Sequence, residues 1–291
     1  MASKGNMNDA KKYPIGIMQG RLTPSRGRGI QFFPFDNWEE EFRIGQKIDI
    51  DEVEFIFDFD RFAENPLWSE EGLKKIKSLI VETGVGVRHI CADFFMRRPF
   101  FRVSDKDQED NIKVLRRLID AAVAIGAVGI EIPLVDNSSI KTIDEENIFI
   151  ESLSGCLDYA KEAHIAVGLE IDYPPDRFMH LLEKINHSQI RANYDSGNSA
   201  GLGYEPYEEI VAIKNFLSNV HIKDRMLHGT TVPLGTGATN FDRLFMGLRD
   251  GAYHGSFILQ VCRGPDGEEP ATIQNQMAFV QSYIDKYLVV S

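Results

Sequence analysis

Four polar side chains that suit a divalent metal each follow a short apolar segment in the second half of the chain. Glu170 ends AVGLE, Asp195 ends IRANYD, His221 ends NVH and Gln260 ends FILQ. The gaps run from 25 residues (170 to 195) to 39 residues (221 to 260), which leaves room for one strand and one returning helix each time. Because the carboxyl ends of such parallel strands meet at one rim of a strand–helix barrel, the spacing predicts a metal site there.

Alternation along the strands points these side chains toward the barrel interior. In AVGLEI, Val167 and Leu169 fall on one face and Glu170 on the other. A lone buried carboxylate costs several kcal/mol unless it is paired, protonated or bound to metal. Two acids, a histidine and an amide on one rim therefore favour a divalent cation, for which Mn²⁺, Mg²⁺, Co²⁺ or Zn²⁺ fits. The alternative is that an inward glutamate simply pairs with Lys223 or Arg263.

One reaction that a cation beside a carboxylate could promote is the enolisation of a carbonyl compound. A cation that chelates a ketone oxygen and the adjacent hydroxyl acidifies the shared C–H bond and stabilises the enediolate. Glu170 is the best candidate for the base that removes the proton, and Lys223 is predicted to take part in catalysis. One base on one face gives aldose–ketose isomerisation. Inversion of a carbon requires a donor on the other face, for which Asp93, Lys223 and a water are candidates.

Weaker signals come from residues near the ends of other strands. Arg21 in MQGRL and Arg263 after FILQVC could hold a substrate oxygen or a phosphate, although Arg21 is equally compatible with a surface arginine. The loop PLGTGATN places two glycines before a helix, near strands seven and eight, where barrels often bind phosphate. The predicted substrate-binding residues are Arg21, Glu54, Asp93, Asn198 and Arg263.

Eight apolar segments that alternate with amphipathic ones must position these side chains. The predicted strands are 15–18, 53–57, 87–92, 128–134, 166–171, 190–194, 220–222 and 257–261. Eight helices follow them, the second capped by Ser69 and ended by Gly84. Strands separated by helices are parallel, and an almost wholly apolar strand is covered on both faces. An open sheet would show the same alternation, but eight repeats favour closure into an α/β (β/α)8 TIM barrel.

Composition limits the protein's setting and partners. Its 291 residues fit one such barrel over residues 14–291, after an N-terminal tail (1–13) that has no apolar core and is expected to be flexible. The net charge of −12 disfavours nucleic acid. Three cysteines imply no disulfide framework and favour the cytoplasm, and no apolar run is long enough to span a membrane. A small molecule is the expected partner, and a homo-oligomer is compatible with the sequence.

The chain resembles the sugar phosphate isomerase/epimerase group, whose barrels are xylose isomerase-like. The resemblance extends from GIMQGRL to FILQVCRG, and its most specific parts are GLEID, NYDSGN, VHIKDR and PLGTG. It implies one divalent metal ion held by a Glu, an Asp, a His and a second Glu from strands five to eight. Glu170, Asp195 and His221 match the first three of these ligands.

Two positions depart from the group's pattern. Gln260 stands where the group usually has the second Glu, and Asn198 stands where many members have a His. A glutamine carbonyl can ligate a metal but cannot act as a base, so the group's two-glutamate epimerisation is not carried over.

The resemblance implies a divalent-metal-dependent isomerase or epimerase of a small sugar or sugar phosphate, with Glu170 as base. The alternatives are an inosose dehydratase-type lyase, which would expel water with the same metal and base, and a non-catalytic sugar-binding barrel. An apurinic endonuclease is disfavoured, because those members use a histidine-rich ligand set and this chain has seven histidines.

Overall fold

Eight parallel strands close into a barrel in the computed structural model, which describes residues 13–289. The strands in chain order are β1 (Ile15–Met18), β2 (Glu52–Ile56), β3 (His89–Cys91), β4 (Gly129–Leu134), β5 (Ala166–Ile171), β6 (Ile190–Asp195), β7 (Leu217–Ile222), β8 (Asp224–Arg225), β9 (Thr231–Val232) and β10 (Ser256–Leu259). The order around the barrel is β1-β10-β7-β6-β5-β4-β3-β2, while β8 and β9 form a separate antiparallel pair. The predicted (β/α)8 fold is confirmed.

Ten α-helices lie between and after these strands within residues 13–289. They are α1 (Trp38–Lys47), α2 (Glu70–Thr83), α3 (Phe94–Arg97), α4 (Asp105–Ile125), α5 (Ile143–Glu162), α6 (Pro175–Ile185), α7 (Ser196–Leu202), α8 (Pro206–Ile213), α9 (Phe241–Asp250) and α10 (Glu269–Tyr287). The predicted eight strands and eight helices are therefore too few. The additional elements α3, α7, β8 and β9 are too short to show a hydrophobic period, and each lies after the carboxyl end of a barrel strand.

Local capping explains where the second helix begins and ends. The Ser69 hydroxyl accepts a hydrogen bond from the backbone N–H of Gly72, and Gly84 adopts a left-handed φ of 76° just after the last turn. Glycine alone takes this conformation without steric cost. Both predicted signals are confirmed. Helix α7 differs, because its cap is the side chain of Asp195, which accepts from the N–H groups of Gly197 and Asn198. The turn that ends β6 thus fixes a candidate metal ligand.

Of the predicted N-terminal tail (1–13), only Tyr13 lies within the described residues. Residues 1–12 of the predicted tail lie outside the described residues. Tyr13 is only 7% exposed, and its ring lies 6.3 Å from the ring of Phe257, so this residue is packed against the barrel. Within the described part of the chain, no helix combines the length and apolarity needed to cross a membrane.

Glu52, near the amino end of the barrel, makes stability depend on pH. It is 2% exposed, and burial raises its pKa from 4.5 to about 7. Its contribution to stability is therefore complete below about pH 4.5 and is lost as the pH rises through 7. We expect Glu52→Gln to increase the free energy of unfolding at pH 8, relative to pH 5, by on the order of 2–3 kcal/mol.

Urea unfolding of wild type and variant at pH 5 and pH 8 measures this difference. Glutamine has a similar shape and no titrating proton, so the variant isolates the cost of ionising Glu52 from the cost of changing the packing. If the free energy of unfolding changed equally in the two proteins between pH 5 and pH 8, the pKa of Glu52 would not be raised in the folded state.

Candidate active site

Three of the predicted metal ligands converge at the carboxyl ends of neighbouring strands. Glu170 on β5, Asp195 at the end of β6 and His221 on β7 each offer a ligand atom within 4.8 Å of the others. All three are buried, with exposures of 6%, 4% and 0%. Two carboxylates and an imidazole form a donor set that fits a divalent cation such as Mn²⁺ or Zn²⁺. Their role as ligands remains a prediction, but the required convergence is present.

Asp195 is held by both of its carboxylate oxygens. Oδ1 accepts hydrogen bonds of 2.8 Å from the backbone N–H groups of Gly197 and Asn198. Oδ2 lies 3.2 Å from the ammonium nitrogen of Lys223. Burial raises the pKa of Asp195, and the charge of Lys223 opposes this effect. A helix N-terminus on one oxygen and an ammonium on the other favour the ionised carboxylate that a metal ligand must present.

His221 lies between two carboxylates in the barrel interior. Its Nε2 is 3.1 Å from Glu54 Oε2 and its Nδ1 is 3.3 Å from Glu170 Oε2. Burial alone would lower the pKa of His221, but Glu54 and Glu170 raise it well above its ordinary value. Burial would raise the pKa of Glu170, and the hydrogen bond and charge of His221, with Lys223, lower it instead. Glu170 is therefore ionised at neutral pH.

Glu54, which was predicted to bind substrate, hydrogen-bonds neighbouring side chains inside the barrel. It is 1% exposed and lies beneath the rim, where its carboxylate accepts a 2.8 Å hydrogen bond from Asn219 and pairs with His221 Nε2. The cavity above the rim is not lined by it. The alternation of side chains along β2 correctly predicted that Glu54 points inward. The depth of Glu54 along the barrel axis depends on how the strands are staggered, which the sequence pattern does not show. The contacts of Glu54 with Nε2 hold the imidazole ring of His221 in one orientation.

Glu131 on β4 belongs to the same interior and had no predicted role. It offers a ligand atom within 4.8 Å of those of Glu54 and His221, and it reaches the floor of the cavity. Burial raises its pKa well above the ordinary value, and the neighbouring charge of Glu170 adds to the increase. Glu131 thus holds its proton more strongly than an exposed glutamate does, in contrast to Glu54 and Glu170, whose pKa values are lowered.

Lys223 occupies the space between several predicted site residues. Its Nζ donates to Asp195 Oδ2 at 3.2 Å, to Asn198 Oδ1 at 3.2 Å and to Gln260 Oε1 at 3.0 Å. An ammonium group has three N–H bonds, so these three acceptors engage all of them. Three oxygen atoms therefore surround a positive charge at this rim, as they would around a bound metal cation.

Asn198, at the start of α7, connects the candidate base to the cationic groups. Its Nδ2 donates to Glu170 Oε1 at 2.5 Å, and its Oδ1 accepts from Lys223 and, at 3.1 Å, from Arg225 Nη1. Asp224, next to Arg225 in the chain, accepts backbone hydrogen bonds from Gly235 and Gly237 at 2.9 and 2.8 Å. The N–H groups of the PLGTG loop are therefore occupied, which removes the reason to expect phosphate there.

A chain of hydrogen bonds runs from Gln260 across the mouth of the barrel. Gln260 Nε2 donates to Gln31 Oε1 at 2.9 Å, and Gln31 Nε2 donates to Asp93 Oδ2 at 2.7 Å. The Cys91 thiol donates to the other Asp93 oxygen at 3.3 Å. Burial raises the pKa of Asp93 to about 6. Gln31 was not predicted, because it lies in the loop after β1, where no periodic pattern marks which side chain turns inward.

A cavity of about 1050 Å³ opens above these residues. Glu170, Asp93, Asn198 and Gln260 lie on its wall together with three aromatic side chains of the loop after β1. The cavity wall carries charged side chains of both signs. Five are cationic, namely Arg28, Arg61, Arg97, Lys223 and Arg225, and six are carboxylic acids, namely Asp58, Asp60, Asp93, Glu131, Asp136 and Glu170. Such a wall, with many hydrogen-bonding groups and three aromatic side chains, suits a polyhydroxylated small molecule.

Arg21 and Arg263 are not part of the cavity wall. Arg21 is 3% exposed and donates to the backbone carbonyls of Val261 and Ile30 at 2.9 and 2.7 Å. Arg263 donates to the carbonyls of Ile30 and Thr23 at 3.0 and 3.1 Å. The prediction that they hold a substrate oxygen or phosphate does not agree with this placement. Both guanidinium groups instead fasten the loop after β1, because that loop presents its carbonyls to them.

Comparison with known proteins gives the same architecture. Residues 42–283 match the family described as xylose isomerase-like TIM barrel. L-ribulose-5-phosphate 3-epimerase UlaE of Salmonella paratyphi A is 25% identical over 264 residues, which cover 87% of this chain and 88% of that protein.

Among solved structures, L-ribulose 3-epimerase superposes with a TM-score of 0.75 at 15% identity, covering 94% of this chain and 95% of its own. The IOLI protein with a bound zinc atom gives 0.74 at 14% identity, covering 94% and 99%. A Mycobacterium smegmatis protein in complex with magnesium gives 0.70 at 17% identity, covering 95% and 98%.

Proposed function

Because the chain belongs to the xylose isomerase-like TIM barrel family, we propose that it is a divalent-metal-dependent isomerase or epimerase of a small sugar or sugar phosphate. The observation that carries the proposal is the convergence of Glu170, Asp195 and His221 within 4.8 Å, with Glu170 on the wall of a cavity of about 1050 Å³. The relative named L-ribulose-5-phosphate 3-epimerase supports a ketose phosphate as the substrate class.

Glu170, Asp195 and His221 would hold the cation, and the Gln260 carbonyl is the candidate fourth ligand. When bound there, a divalent ion polarises the carbonyl and the neighbouring hydroxyl of a ketose. Lys223 neutralises part of the negative charge of this donor set. Glu54 holds the His221 ring by its Nε2, which leaves Nδ1 directed toward Glu170 and the rim.

Glu170 is the base that starts the reaction. Its pKa is lowered, so it is a carboxylate at neutral pH, and it lies on the cavity wall. Asn198 holds one of its oxygens by a 2.5 Å hydrogen bond, which fixes the direction of the other. Glu170 removes the proton from the carbon next to the ketose carbonyl, and the electron pair of that C–H bond forms the double bond of the enediolate.

The cationic residues on the wall give the site its preference for substrate. Arg225 binds hydroxyl or phosphate oxygens of the sugar, and Arg28 lies on the same wall. A small-molecule sugar is therefore the partner in this proposal.

The cytoplasm is the proposed location, and the three cysteines are free thiols.

The test is deuterium incorporation from D₂O into a panel of ketoses and ketose phosphates, including L-ribulose 5-phosphate and D-allulose, with added Mn²⁺. We expect deuterium at a single carbon next to the carbonyl of at least one compound. Loss of water from an inosose would instead indicate a lyase. Tight sugar binding with no deuterium uptake and no bound metal would indicate a non-catalytic barrel.

A further inference from the structure

We propose that Asp93 is the second catalytic acid–base group of this site, and that the enzyme inverts the carbon next to the carbonyl. The proposal rests on the proposed function and deepens it, because it selects epimerisation over aldose–ketose isomerisation. Three observations carry it: the position of Gln260, the hydrogen-bonded path from Gln260 to Asp93, and the cavity that Asp93 shares with Glu170.

Inversion needs proton transfer on two faces of the reacting carbon, and Glu170 serves only one of them. Around the barrel, β10 and β5 are three strands apart, so Gln260 at the end of β10 lies across the mouth from Glu170. A primary amide neither gives nor takes a proton at neutral pH. The side of the cavity that faces Glu170 therefore requires another titratable group.

The hydrogen bonds of Gln260 lead to that group. Gln260 donates to Gln31, and Gln31 donates to Asp93. Gln31 thereby links Gln260 to the Asp93 carboxyl, which follows β3, three strands from β10 and two strands from the β5 of Glu170. Asp93 is 8% exposed, and it lines the same cavity as Glu170. Each carboxylate oxygen has two acceptor positions, so its bonds to Gln31 and Cys91 leave capacity for a substrate.

Other titratable groups on the cavity wall are less suitable. The three N–H bonds of Lys223 are engaged by Asp195, Asn198 and Gln260. Glu131 belongs to the interior cluster with Glu54 and His221. The remaining carboxyl groups, Asp58, Asp60 and Asp136, lie farther out and are more exposed.

The surroundings of Asp93 suit a group that shuttles a proton. Burial raises its pKa to about 6, the hydrogen bond from Gln31 opposes the increase, and the charges of Asp58 and Glu170 add to it. The Cys91 thiol, whose own pKa is raised by burial, is neutral. A pKa near the working pH gives a group that is both a competent donor and a competent acceptor.

The step balances with these two groups. Glu170 takes the proton from the carbon next to the carbonyl, and the C–H electron pair becomes the enediolate double bond. Protonated Asp93 then gives its proton to the same carbon from the opposite face, and the double-bond electrons form the new C–H bond as the carbonyl returns. Asp93 is left as a carboxylate and Glu170 as a carboxylic acid. Proton exchange with water resets both, and the reverse reaction uses them in the opposite roles.

The experiment separates proton removal from inversion. Asp93→Asn is incubated in D₂O with the ketose of the panel that wild type deuterates, and both recovered substrate and epimer are analysed by NMR. We expect epimer formation to fall by about 10²–10⁴-fold, while deuterium still enters the recovered substrate through Glu170. Asp136→Asn, an exposed aspartate of the cavity wall, is the matched control and keeps the wild-type ratio of exchange to inversion.

A second variant keeps the proposal testable if Asp93→Asn does not fold. Asp93→Glu retains a carboxyl group and is expected to retain measurable inversion with a shifted pH profile. Inversion by Asp93→Asn at the wild-type rate, or equal loss of inversion in Asn and Glu variants that still exchange deuterium, overturns the assignment. Absence of deuterium exchange in wild type with every ketose overturns the proposed function itself and this assignment with it.

Discussion

Glu170→Gln is expected to lower turnover of the ketose by about 10²–10⁴-fold, because an amide cannot accept the proton that starts the reaction. The substitution keeps the length of the side chain and an oxygen for the 2.5 Å hydrogen bond from Asn198. Deuterium exchange into substrate should fall in parallel with product formation. This result would differ from that of Asp93→Asn, in which exchange persists. Steady-state kinetics and NMR in D₂O measure the two quantities.

The control for this prediction is Glu52→Gln. The chemical change is identical, and Glu52 is also a buried barrel glutamate, but it lies near the amino end of β2, away from the cavity. Its turnover is expected to match that of wild type. Turnover of Glu170→Gln within threefold of wild type would remove Glu170 as the base. Metal content measured on the same samples tells whether a loss of rate comes from the base or from the cation.

His221→Ala is expected to abolish metal binding and to destabilise the protein. His221 is 0% exposed and is the common neighbour of Glu54 and Glu170. Removing it deletes one of the three converging ligands and leaves two buried carboxylates without their partner. Removing one partner of a buried ion pair costs about 3–5 kcal/mol. Elemental analysis after incubation with Mn²⁺ and dialysis measures the metal content, and urea unfolding measures the stability.

His89→Ala is the matched control, because His89 is the other buried barrel histidine. Burial lowers its pKa to about 4, so it is neutral and balances no carboxylate. The His89→Ala protein is expected to have a lower free energy of unfolding than wild type, because packing contacts are lost, while it keeps the wild-type metal content. Full metal content in His221→Ala would show that the cation, if bound, has other ligands.

Much of the fold was predictable because covered parallel strands are apolar and their spacing is regular. The barrel, its closure, the extent of β5 and family membership were confirmed. The prediction that β7 begins at Val220 was wrong, because the strand begins at Leu217. Ser218 and Asn219 are polar, and polar residues before an apolar segment are typical of a loop. Asn219 binds Glu54 inside the barrel, a contact that only the closed structure reveals.

The candidate site was predictable where strand alternation determines direction. Glu170, Asp195 and His221 could be placed together because each ends a strand and faces inward. The network formed by Gln31, Asp93 and Gln260 could not be predicted, since Gln31 and Gln260 are 229 residues apart and meet only when a loop folds over the mouth. For the same reason Arg21 and Arg263 were assigned to substrate, although they bind loop carbonyls.

The Glu54–His221 pair joins residues that are 167 positions apart in the chain. Glu54 belongs to the first quarter of the protein and His221 to the last quarter, so the imidazole is oriented only after the two ends of the curved sheet have met. A chain whose barrel has not yet closed contains Glu170 and Asp195, but in it Glu54 does not hold the His221 ring. Under the proposed function, binding of the cation would therefore be coupled to the final closure of the fold.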